Sequence, residues 1–514
     1  MPITRNRVPR FLPFVGFAVL AAIVGCSGSV GPSGGSGAAG FVPEAHGSKG
    51  KIEHVVIIVQ ENRSFDNFFD CFPGTDCVKT AVGAAPMPTP GTKSSPCPLL
   101  VAPSPGPTPT PIQIAFNAKL VTYDIDHSYC PAFVTEYDGG KMDGFYWAVF
   151  GGPGGRAKTY GYQVVAQKQI QPYWDLAKQY VLADRAFPTQ ASGSFTAHQD
   201  LIRGDTVIKK NESTIDYPWN PSNIQNWGCD DPSKPPNGPS YTPVLTAAHK
   251  YIVKGPFPCF DYATVRDTLD AKGVSWKYYV PTFPNDGGQM WNAFDAIRAV
   301  RYDKSEWPNK GNFNCTNSCV SWPETNVLCD IAGSTASPCP APNPTGTVEL
   351  PAVSWVIPDG ENSDHGYGSY LGKDNGPDWV ASVVNAIGKS PYWKSTAIVI
   401  LWDDWGGFYD HVPPPQLDYQ GLGFRVPMII VSPYAKRGYV SHTQYEFGSI
   451  LKFVESTFGL PSLGTTDVRA NNLTDAFDFT QAPRRFKPIK LLSPNHGPAF
   501  FLNEPPSNQP VDTQ

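Results

Sequence analysis

Two clusters of oxygen-bearing side chains each follow directly on a short apolar run. Glu61-Asn62 comes after residues 52–59, and Asp403-Asp404 comes after residues 396–402. Carboxylate and amide oxygens suit hard or borderline divalent cations, so both clusters are candidate metal ligands. Alone, each cluster also fits a turn or a cap on a surface loop. Two such clusters at the ends of buried strands favour a metal site.

The second cluster can work as a metal site only under one condition. Consecutive side chains on a regular strand point to opposite faces, so Asp403 and Asp404 share a cation only where the backbone turns. Gly406-Gly407 follows them closely, and glycine permits such a turn.

A hydroxyl nucleophile is a further candidate, and Ser194 is the residue that we favour. It lies in SGSFTAH at 192–198, after an apolar run at 181–187 and before a predicted helix. A helix N-terminus favours a phosphate beside it through the helix dipole and the free backbone N–H groups. Metal coordination lowers the pKa of a hydroxyl towards that of a usable nucleophile. Ser194 also fits a plain helix cap, and Ser192 and Thr196 are rival hydroxyls.

Three of the nine histidines directly follow an aspartate. A carboxylate that touches a histidine can fix its tautomer or raise its pKa. Such histidines suit phosphate binding or protonation of a leaving group, although each alone also fits a surface position. The three are His127, His365 and His411.

The elements that must position these residues alternate along the chain. Apolar runs predict strands at 52–59, 181–187, 274–280, 352–357, 396–402 and 426–431. Helices are predicted at 171–180, 263–272, 377–389 and 445–458. This alternation predicts an α/β fold with a mostly parallel sheet covered on both faces. Ligand sites in such sheets lie beyond the carboxyl ends of the strands, where both acidic clusters fall.

The first 26 residues are predicted to be a targeting segment. Arg5, Arg7 and Arg10 precede an apolar stretch at 11–24 that is short for a membrane span. Residues 23–26 (IVGC) resemble a lipobox, in which Cys26 would be lipidated, with plain signal-peptide cleavage as the alternative. Either interpretation predicts an exported protein, lipid-anchored at the cell envelope or secreted. The Gly/Ser-rich residues 27–50 indicate a flexible tether.

Composition agrees with export. Of eleven cysteines, setting Cys26 aside leaves ten, an even number that favours disulfides over metal ligation in an exported chain. The net charge of -5 provides no basic face and argues against nucleic-acid binding. The 54 prolines indicate long loops, among them a Pro-rich insertion at 80–112 and a Cys-rich loop at 311–345.

An ordered set of segments carries a family resemblance. The segments are HVVIIVQENRSFDNFFDCFPG, DHS at 126–128, SGSFTAH at 192–198, GVSWKYY at 273–279, NSDHG at 362–366, SPYWKSTAIVILWDDWGGFYDHVPPP and GFRVPMIIVSPYAKRGYVSH. Together they resemble the bacterial acid phosphatase and phospholipase C family, which includes the plant non-specific phospholipases C. The resemblance implies an alkaline-phosphatase-like three-layer sandwich with disulfide-stapled loop insertions. It spans nearly the whole mature chain, so we expect a phosphoesterase domain at 51–482 and a C-terminal extension at 483–514.

The resemblance also implies a reaction and roles for the candidate residues. The reaction is hydrolysis of phosphate esters through Ser194 as nucleophile, with a divalent metal ion. The residues expected to hold the metal are Glu61, Asn62, Asp403, Asp404 and Ser194. The histidines expected to bind phosphate or assist the leaving group are His127, His365 and His411.

Two departures from the family pattern affect the same region. Relatives often have Asn where this chain has Ala197, and many have Glu-His where this chain has Asp404-Trp405. Asp404 keeps the carboxylate, so metal binding is expected to survive. The loss of a polar side chain at Ala197 and of a histidine at Trp405 is expected to narrow the range of substrates or to reduce activity.

Two alternative functions stay open on the sequence alone. Phospholipase C activity on phosphatidylcholine-type lipids suits an envelope location, although no obvious lipid-inserting amphipathic stretch is present. A non-catalytic cell-surface binding protein on the same fold is the alternative of another class, and the intact candidate metal set argues against it. A sulfatase is disfavoured because no Cys-x-Pro-x-Arg segment is present.

Overall fold

The computed structural model describes residues 48, 50–83, 97, 111–151, 155–218, 228–230, 241–282, 289–307, 318–339, 348–366, 373–505 and 507. The predicted targeting segment, nearly all of the tether and most of the Pro-rich insertion lie outside these residues.

Eight strands of the described residues form the central sheet. In chain order they are β1 His54–Gln60, β2 Val181–Ala183, β3 Trp276–Tyr279, β4 Cys319–Ser321, β5 Val353–Val356, β6 Thr396–Trp402, β7 Met428–Val431 and β8 Tyr439–Ser441. Their order across the sheet is β4-β3-β5-β1-β6-β7-β2-β8. The pairings are parallel except for those of β7, which runs antiparallel to both β6 and β2. The expected mostly parallel sheet is therefore confirmed.

Ten α-helices accompany the sheet in the described residues. They are α1 Phe65–Phe69, α2 Val134–Tyr137, α3 Gln171–Gln179, α4 Ser194–Arg203, α5 Val265–Lys272, α6 Arg298–Arg301, α7 Asn326–Ala332, α8 Gly376–Lys389, α9 Phe447–Phe458 and α10 Pro498–Asn503. α4 packs against α5 and α9, whereas α8 packs against α3, α7 and α10.

Two tryptophans show that helices cover both faces of the sheet. Trp355 of β5 and Trp402 of β6 point to opposite faces, because their partners on β1 are three residues apart. The Trp355 indole N–H donates to the carbonyl of Leu201 in α4 at 3.2 Å. The Trp402 ring lies 4.9 Å from the ring of Tyr173 in α3. The molecule thus has a helical layer on each side of the sheet, which confirms the three-layer α/β prediction.

The predicted elements are found close to their expected bounds. β6 matches its prediction residue for residue, and the four predicted helices all form. The run at 181–187 divides, however, into β2 and a short strand Ala186–Phe187 that pairs with Tyr445–Glu446 outside the central sheet. The Cys-rich segment expected as a loop contains β4 at the sheet edge and the helix α7.

Smaller sheets form separately from the central sheet. Val207–Lys209, Glu212–Thr214, Val244–Thr246 and Tyr251–Ile252 form an antiparallel four-stranded sheet. Two further pairs join Thr80–Ala81 with Ile112–Gln113 and Ala115–Ala118 with Gln163–Val165.

Disulfides are present as the cysteine count predicted. The pairs are Cys71–Cys77, Cys97–Cys130, Cys229–Cys259 and Cys329–Cys339, and Cys319 is also disulfide-bonded. This usage is consistent with an exported protein. Among the described helices, none has the length and apolarity that a bilayer crossing requires.

Candidate active site

The two acidic clusters meet because β1 and β6 are neighbouring parallel strands. Gln60 aligns with Trp402 at the ends of the two strands, and the Asp403 N–H donates to the Gln60 carbonyl at 2.9 Å. Just beyond, the Asn62 N–H donates to Asp403 Oδ1 at 3.0 Å. Glu61-Asn62 and Asp403-Asp404 therefore lie side by side at the carboxyl edge of the sheet.

The backbone turns directly after β6, as the shared use of both aspartates requires. The Asp404 N–H donates to Asp403 Oδ1 at 2.8 Å, and the Gly406 N–H donates to Asp404 Oδ1 at 2.7 Å. Gly406 has a φ of 59°, and a Cβ there would lie 2.2 Å from the Asn62 carbonyl oxygen. Only glycine fits this turn without displacing the β1 segment.

Ser194 begins α4 and faces both clusters. Its Oγ lies 3.4 Å from Glu61 Oε2, 3.5 Å from Asn62 Oδ1 and 3.4 Å from Asp404 Oδ2. One hydroxyl proton can serve only one of these three acceptors. Four residues thus direct oxygen atoms at one point, with Ser194 at the N-terminal end of a ten-residue helix.

The rival hydroxyls have other partners. Ser192 donates to Asp216 Oδ1 at 3.1 Å, and Thr196 donates to the Gly193 carbonyl at 2.9 Å. Both hydroxyls therefore have structural contacts, whereas the contacts of the Ser194 hydroxyl are with the candidate metal ligands.

His198 is a site residue that the sequence reasoning missed. Its Nε2 lies 3.1 Å from Glu61 Oε1 and 3.9 Å from Asp403 Oδ2. Complete burial lowers its pKa to about 4, so the imidazole is neutral. The sequence contains a signal for this role, because His198 follows Ser194 by four residues and this spacing places both on one face of a helix.

His127 joins the site through Asn62. Its Nδ1 lies 2.6 Å from the Ile125 carbonyl, so Nδ1 carries the proton and Nε2 accepts from the Asn62 amide at 3.0 Å. The same Nε2 lies 3.7 Å from Asp404 Oδ2. The preceding Asp126 instead accepts from Ser128 Oγ at 2.7 Å, so the adjacent aspartate does not orient this histidine.

His365 lies on the same side of the site. Its ring centroid is 6.4 Å from that of His127, and it is buried. The preceding Asp364 points elsewhere, because its Oδ2 accepts from Tyr173 Oη at 2.6 Å and from the Trp402 indole at 3.1 Å. Here too the neighbouring aspartate supports another part of the core.

His411 lies in a different cluster. Its Nδ1 is 2.7 Å from Asp66 Oδ2, and Asp66 also accepts from the fully buried Arg425 at 2.8 Å. Arg425 in turn donates to Asp410 Oδ1 at 2.8 Å. Within the described residues, the hydrogen bonds of His411 run to this cluster and not to Ser194. The structure thus brings the predicted site residues together except for His411.

Trp405 lies beside His127 at the candidate site. Its indole N–H donates to Glu136 Oε2 at 2.6 Å, and its ring lies edge-on to His127 at 6.2 Å. Glu136 is fully buried, and burial raises the pKa of its carboxyl well above the usual value. A neutral Glu136 therefore sits behind Trp405.

The donor set fits a divalent cation. Glu61, Asp403 and Asp404 are fully buried together, and buried carboxylates need a compensating positive charge. Asp403 Oδ2 has no hydrogen-bond partner among the described residues, and atoms of Glu61, His198 and Asp403 lie close enough together to ligate one ion. The residues that would hold it are those at the ends of β1 and β6 with Ser194, and His198 adds a nitrogen donor.

Comparison with known proteins identifies the family of the chain. The model of the Phosphoesterase family matches residues 52–461, and the chain belongs to that family, which places it among the phosphoric ester hydrolases. It is 24% identical over 487 residues to the non-hemolytic phospholipase C of Pseudomonas aeruginosa, covering 84% of this chain and 58% of that protein. It is 25% identical to phospholipase C B of Mycobacterium tuberculosis, covering 85% of this chain and 80% of that protein.

Two further similarities are more limited. A segment of 142 residues is 32% identical to non-specific phospholipase C1 of Arabidopsis thaliana, covering 23% of this chain and 27% of that protein. A solved alkaline phosphatase superfamily protein from Vibrio parahaemolyticus aligns with a TM-score of 0.32 and 10% identity, covering 83% of this chain and 72% of that one.

Proposed function

We propose that this chain is an exported, metal-dependent phosphoesterase of the phospholipase C type that uses Ser194 as its nucleophile. The observation that carries the proposal is the convergence of Glu61, Asn62 and Asp404 oxygens on Ser194 Oγ at 3.4 to 3.5 Å. A bound divalent cation would lower the pKa of the serine hydroxyl and offset phosphate charge.

The chain's own groups account for the remaining steps. Ser194 Oγ gives its proton to a neighbouring carboxylate and attacks phosphorus in line, while the bond to the leaving oxygen breaks. The N-terminal N–H groups of α4 stabilise the equatorial phosphate oxygens. His365, and His127 once its ring has gained a second proton at Nε2, bind phosphate or protonate the leaving oxygen. Water then hydrolyses the phosphoseryl group and regenerates the serine.

Paired serine variants test the nucleophile. Ser194→Ala removes the attacking oxygen, so we expect turnover to fall by about three orders of magnitude or more. Ser192→Ala, two residues earlier, removes a hydroxyl bonded to Asp216 and should lower turnover far less than Ser194→Ala does. Normal turnover by metal-replete Ser194→Ala would refute the assignment.

Metal dependence has its own test. Chelation followed by dialysis should abolish turnover, and re-addition of single divalent ions should restore it. Turnover that persists in protein shown by elemental analysis to be metal-free would contradict the metal site. A chain that binds metal but hydrolyses no ester would be the non-catalytic binding protein.

The substrate class follows from the relatives, which are named as phospholipases C. We therefore propose a phospholipid as substrate, cleaved to diacylglycerol and a phosphorylated headgroup. Parallel assays with phosphatidylcholine and p-nitrophenyl phosphate distinguish this from a phosphomonoesterase. Turnover of the monoester without diacylglycerol release would assign the chain to the acid phosphatase type.

Export and anchoring belong to the same proposal. Mass spectrometry of the mature N-terminus should show a lipidated Cys26 if residues 23–26 act as a lipobox. An unmodified N-terminus after signal cleavage would instead identify a secreted form. Cys26→Ala should release the protein from the membrane fraction only in the first case.

A further inference from the structure

A cavity of about 300 Å³ lies between the start of α7, the turn after β5 and the residues that follow α10. Three carboxyl side chains line it: Glu324, Asp359 and Glu504. They come from three separate parts of the chain, so folding brings them together. The cavity is separate from the oxygen cluster around Ser194, and none of its carboxyl groups belongs to that cluster.

These carboxyl groups have little compensating charge. Lys373 lies 3.3 Å from Glu504 and also pairs with Glu361 outside the cavity. Asp359 accepts hydrogen bonds from neutral donors only: the Glu361 N–H, the Asn362 amide and the Ser507 N–H. In the described part of the chain, no lysine, arginine or histidine pairs with Glu324 or Asp359. The cavity is therefore strongly negative when its carboxyls are ionised.

One buried polar atom points to a missing ligand. Glu324 is 5% exposed, and its carboxyl accepts a hydrogen bond from its own backbone N–H. Asn362 is 2% exposed, and its Oδ1 has no hydrogen-bond partner in the part of the chain that the structure describes. Its Nδ2 donates to Asp359 at 2.8 Å and to Glu504 at 3.4 Å. Buried polar groups without partners are costly, and a ligand that satisfies them gains that free energy.

The protonation of the carboxyl groups supports the same view. Burial, with the charges of Asp359 and Glu504, raises the pKa of Glu324 well above its usual value. Burial also raises the pKa of Asp359 to about 7. Protons therefore compensate the charge in the free protein, and a cation would compete with them.

The walls favour an organic cation over a bare metal ion. Pro323, Phe501 and Leu502 supply apolar surface beside the carboxyl groups. Sets of three potential metal ligands with atoms within 4.8 Å of one another occur elsewhere in the described residues, but none includes these carboxyls. An alkylammonium group combines a diffuse positive charge with apolar methyl or methylene groups, and aromatic and apolar walls suit it.

We propose that this cavity is a binding site for an alkylammonium group, with Glu324 as its principal counter-charge. The site is independent of the proposed phosphoester chemistry. Its ligand chemistry is shared by free amines and by the ammonium headgroups of lipids.

Titration calorimetry with tetramethylammonium chloride tests the proposal on the full metal-replete protein. We expect saturable binding that weakens at least tenfold in Glu324→Gln, and no binding of tert-butanol, a neutral molecule of similar shape. Glu361→Gln is the matched control, because it removes the same charge from a residue outside the cavity lining. Equal affinity in both variants, binding of tert-butanol, or preference for Ca²⁺ would overturn the proposal.

A second variant shows whether the loss of binding in Glu324→Gln is a folding artefact. A pH series tests the competition between the ligand and protons. Glu504→Gln should also weaken binding, with circular dichroism and the melting temperature showing that both variants fold. Glu324, Asp359, Glu504, Glu361 and Lys373 are the charged groups around the cavity. Because protons compete with the ligand, affinity should rise from about pH 6 to about pH 8. Affinity that is flat over this range would contradict the site.

Two further experiments identify the source of the ligand and test whether its binding depends on the catalytic serine. If the ammonium belongs to a lipid, Glu324→Gln will lose binding to phosphatidylcholine vesicles but not to phosphatidylglycerol vesicles. If it belongs to a free amine, vesicle binding will be unchanged while tetramethylammonium binding falls. Ser194→Ala should bind tetramethylammonium normally, so failure of the catalytic proposal and failure of this one give different results.

Discussion

The carboxylate of Asp216 accepts a hydrogen bond from Ser192, two residues before the proposed nucleophile, at 3.1 Å. The same buried carboxylate accepts from the N–H groups of Tyr129 and Cys130 at 2.6 and 3.2 Å and from Tyr251 Oη at 2.8 Å. Asp216 therefore ties the nucleophile loop to the segment that carries His127. This is a positioning role, because Asp216 does not touch Ser194 Oγ.

Asp216→Asn should disturb both segments at once. The amide replaces one acceptor with a donor that faces other donors, so we expect a loss of about 2–3 kcal/mol in the free energy of unfolding. We also expect kcat to fall by about tenfold or more, because small displacements of a nucleophile are costly. Urea denaturation and steady-state kinetics measure the two effects.

The matched control removes one donor only. Tyr251→Phe should cost about 1 kcal/mol and leave kcat nearly unchanged. If Asp216→Asn lowers stability but leaves kcat, KM and metal content at wild-type values, Asp216 is structural and has no positioning role.

His198→Ala should weaken metal retention. His198 lies 3.1 Å from Glu61 and is neutral, so it either ligates the cation or holds Glu61 in place. Loss of such a group typically costs about 10–100-fold in metal affinity or activity. Elemental analysis after dialysis against a graded chelator series measures it.

A nearby substitution serves as the control for His198. Tyr278 Oη lies 3.3 Å from His198 Nδ1 on the side away from Glu61, so Tyr278→Phe should alter metal retention far less. Excess metal should partly restore turnover in His198→Ala. Unchanged metal retention would remove His198 from the site.

Much of this architecture is predictable from local pattern. β6 begins with Thr396 and continues as an unbroken apolar run to Trp402, before Asp403, and its bounds match the prediction. The proximity of Glu61 and Asp403 was predictable, because the carboxyl ends of parallel strands lie at one edge of a sheet. The Gly406 turn was predictable because two glycines follow the two aspartates.

Other features depend on distant contacts that a local pattern does not encode. β4 is three residues long and is held at the sheet edge by pairing with β3, so no periodicity identifies it. The aspartates beside His127 and His365 looked like partners, yet their carboxylates bond to Ser128, Tyr173 and Trp402. Adjacency in sequence did not predict contact, because the backbone directs neighbouring side chains apart.

His411 gives a prediction about pH. Burial alone would lower its pKa, but the hydrogen bond and charge of Asp66 outweigh burial and raise it above 6.5. Its stabilising contribution is therefore fully present below about pH 6.5 and is lost as pH rises through the raised folded-state value. His411→Gln should remove this pH-dependent part of the stability while leaving kcat within a few-fold of wild type. Urea denaturation at a series of pH values measures it.

The control is another histidine with a carboxylate partner. His442 Nδ1 lies 2.9 Å from Asp184, but its side chain is 65% exposed, so His442→Gln should change stability little at any pH. A loss of turnover in His411→Gln comparable to that in Ser194→Ala would instead make His411 catalytic, as the family resemblance implies.

Trp405 and Glu136 should be coupled energetically. Trp405→Phe removes the 2.6 Å indole donor from a buried carboxyl, which should lower the free energy of unfolding by about 1–3 kcal/mol. Glu136→Gln keeps an acceptor for the indole and should cost less. A double-mutant cycle by urea denaturation should give a coupling of about 1 kcal/mol, since the two side chains share one hydrogen bond.

Because the Trp405 ring also contacts His127, Trp405→Phe should change the pH profile of kcat. Additive stabilities and an unchanged profile would show that Trp405 only fills space.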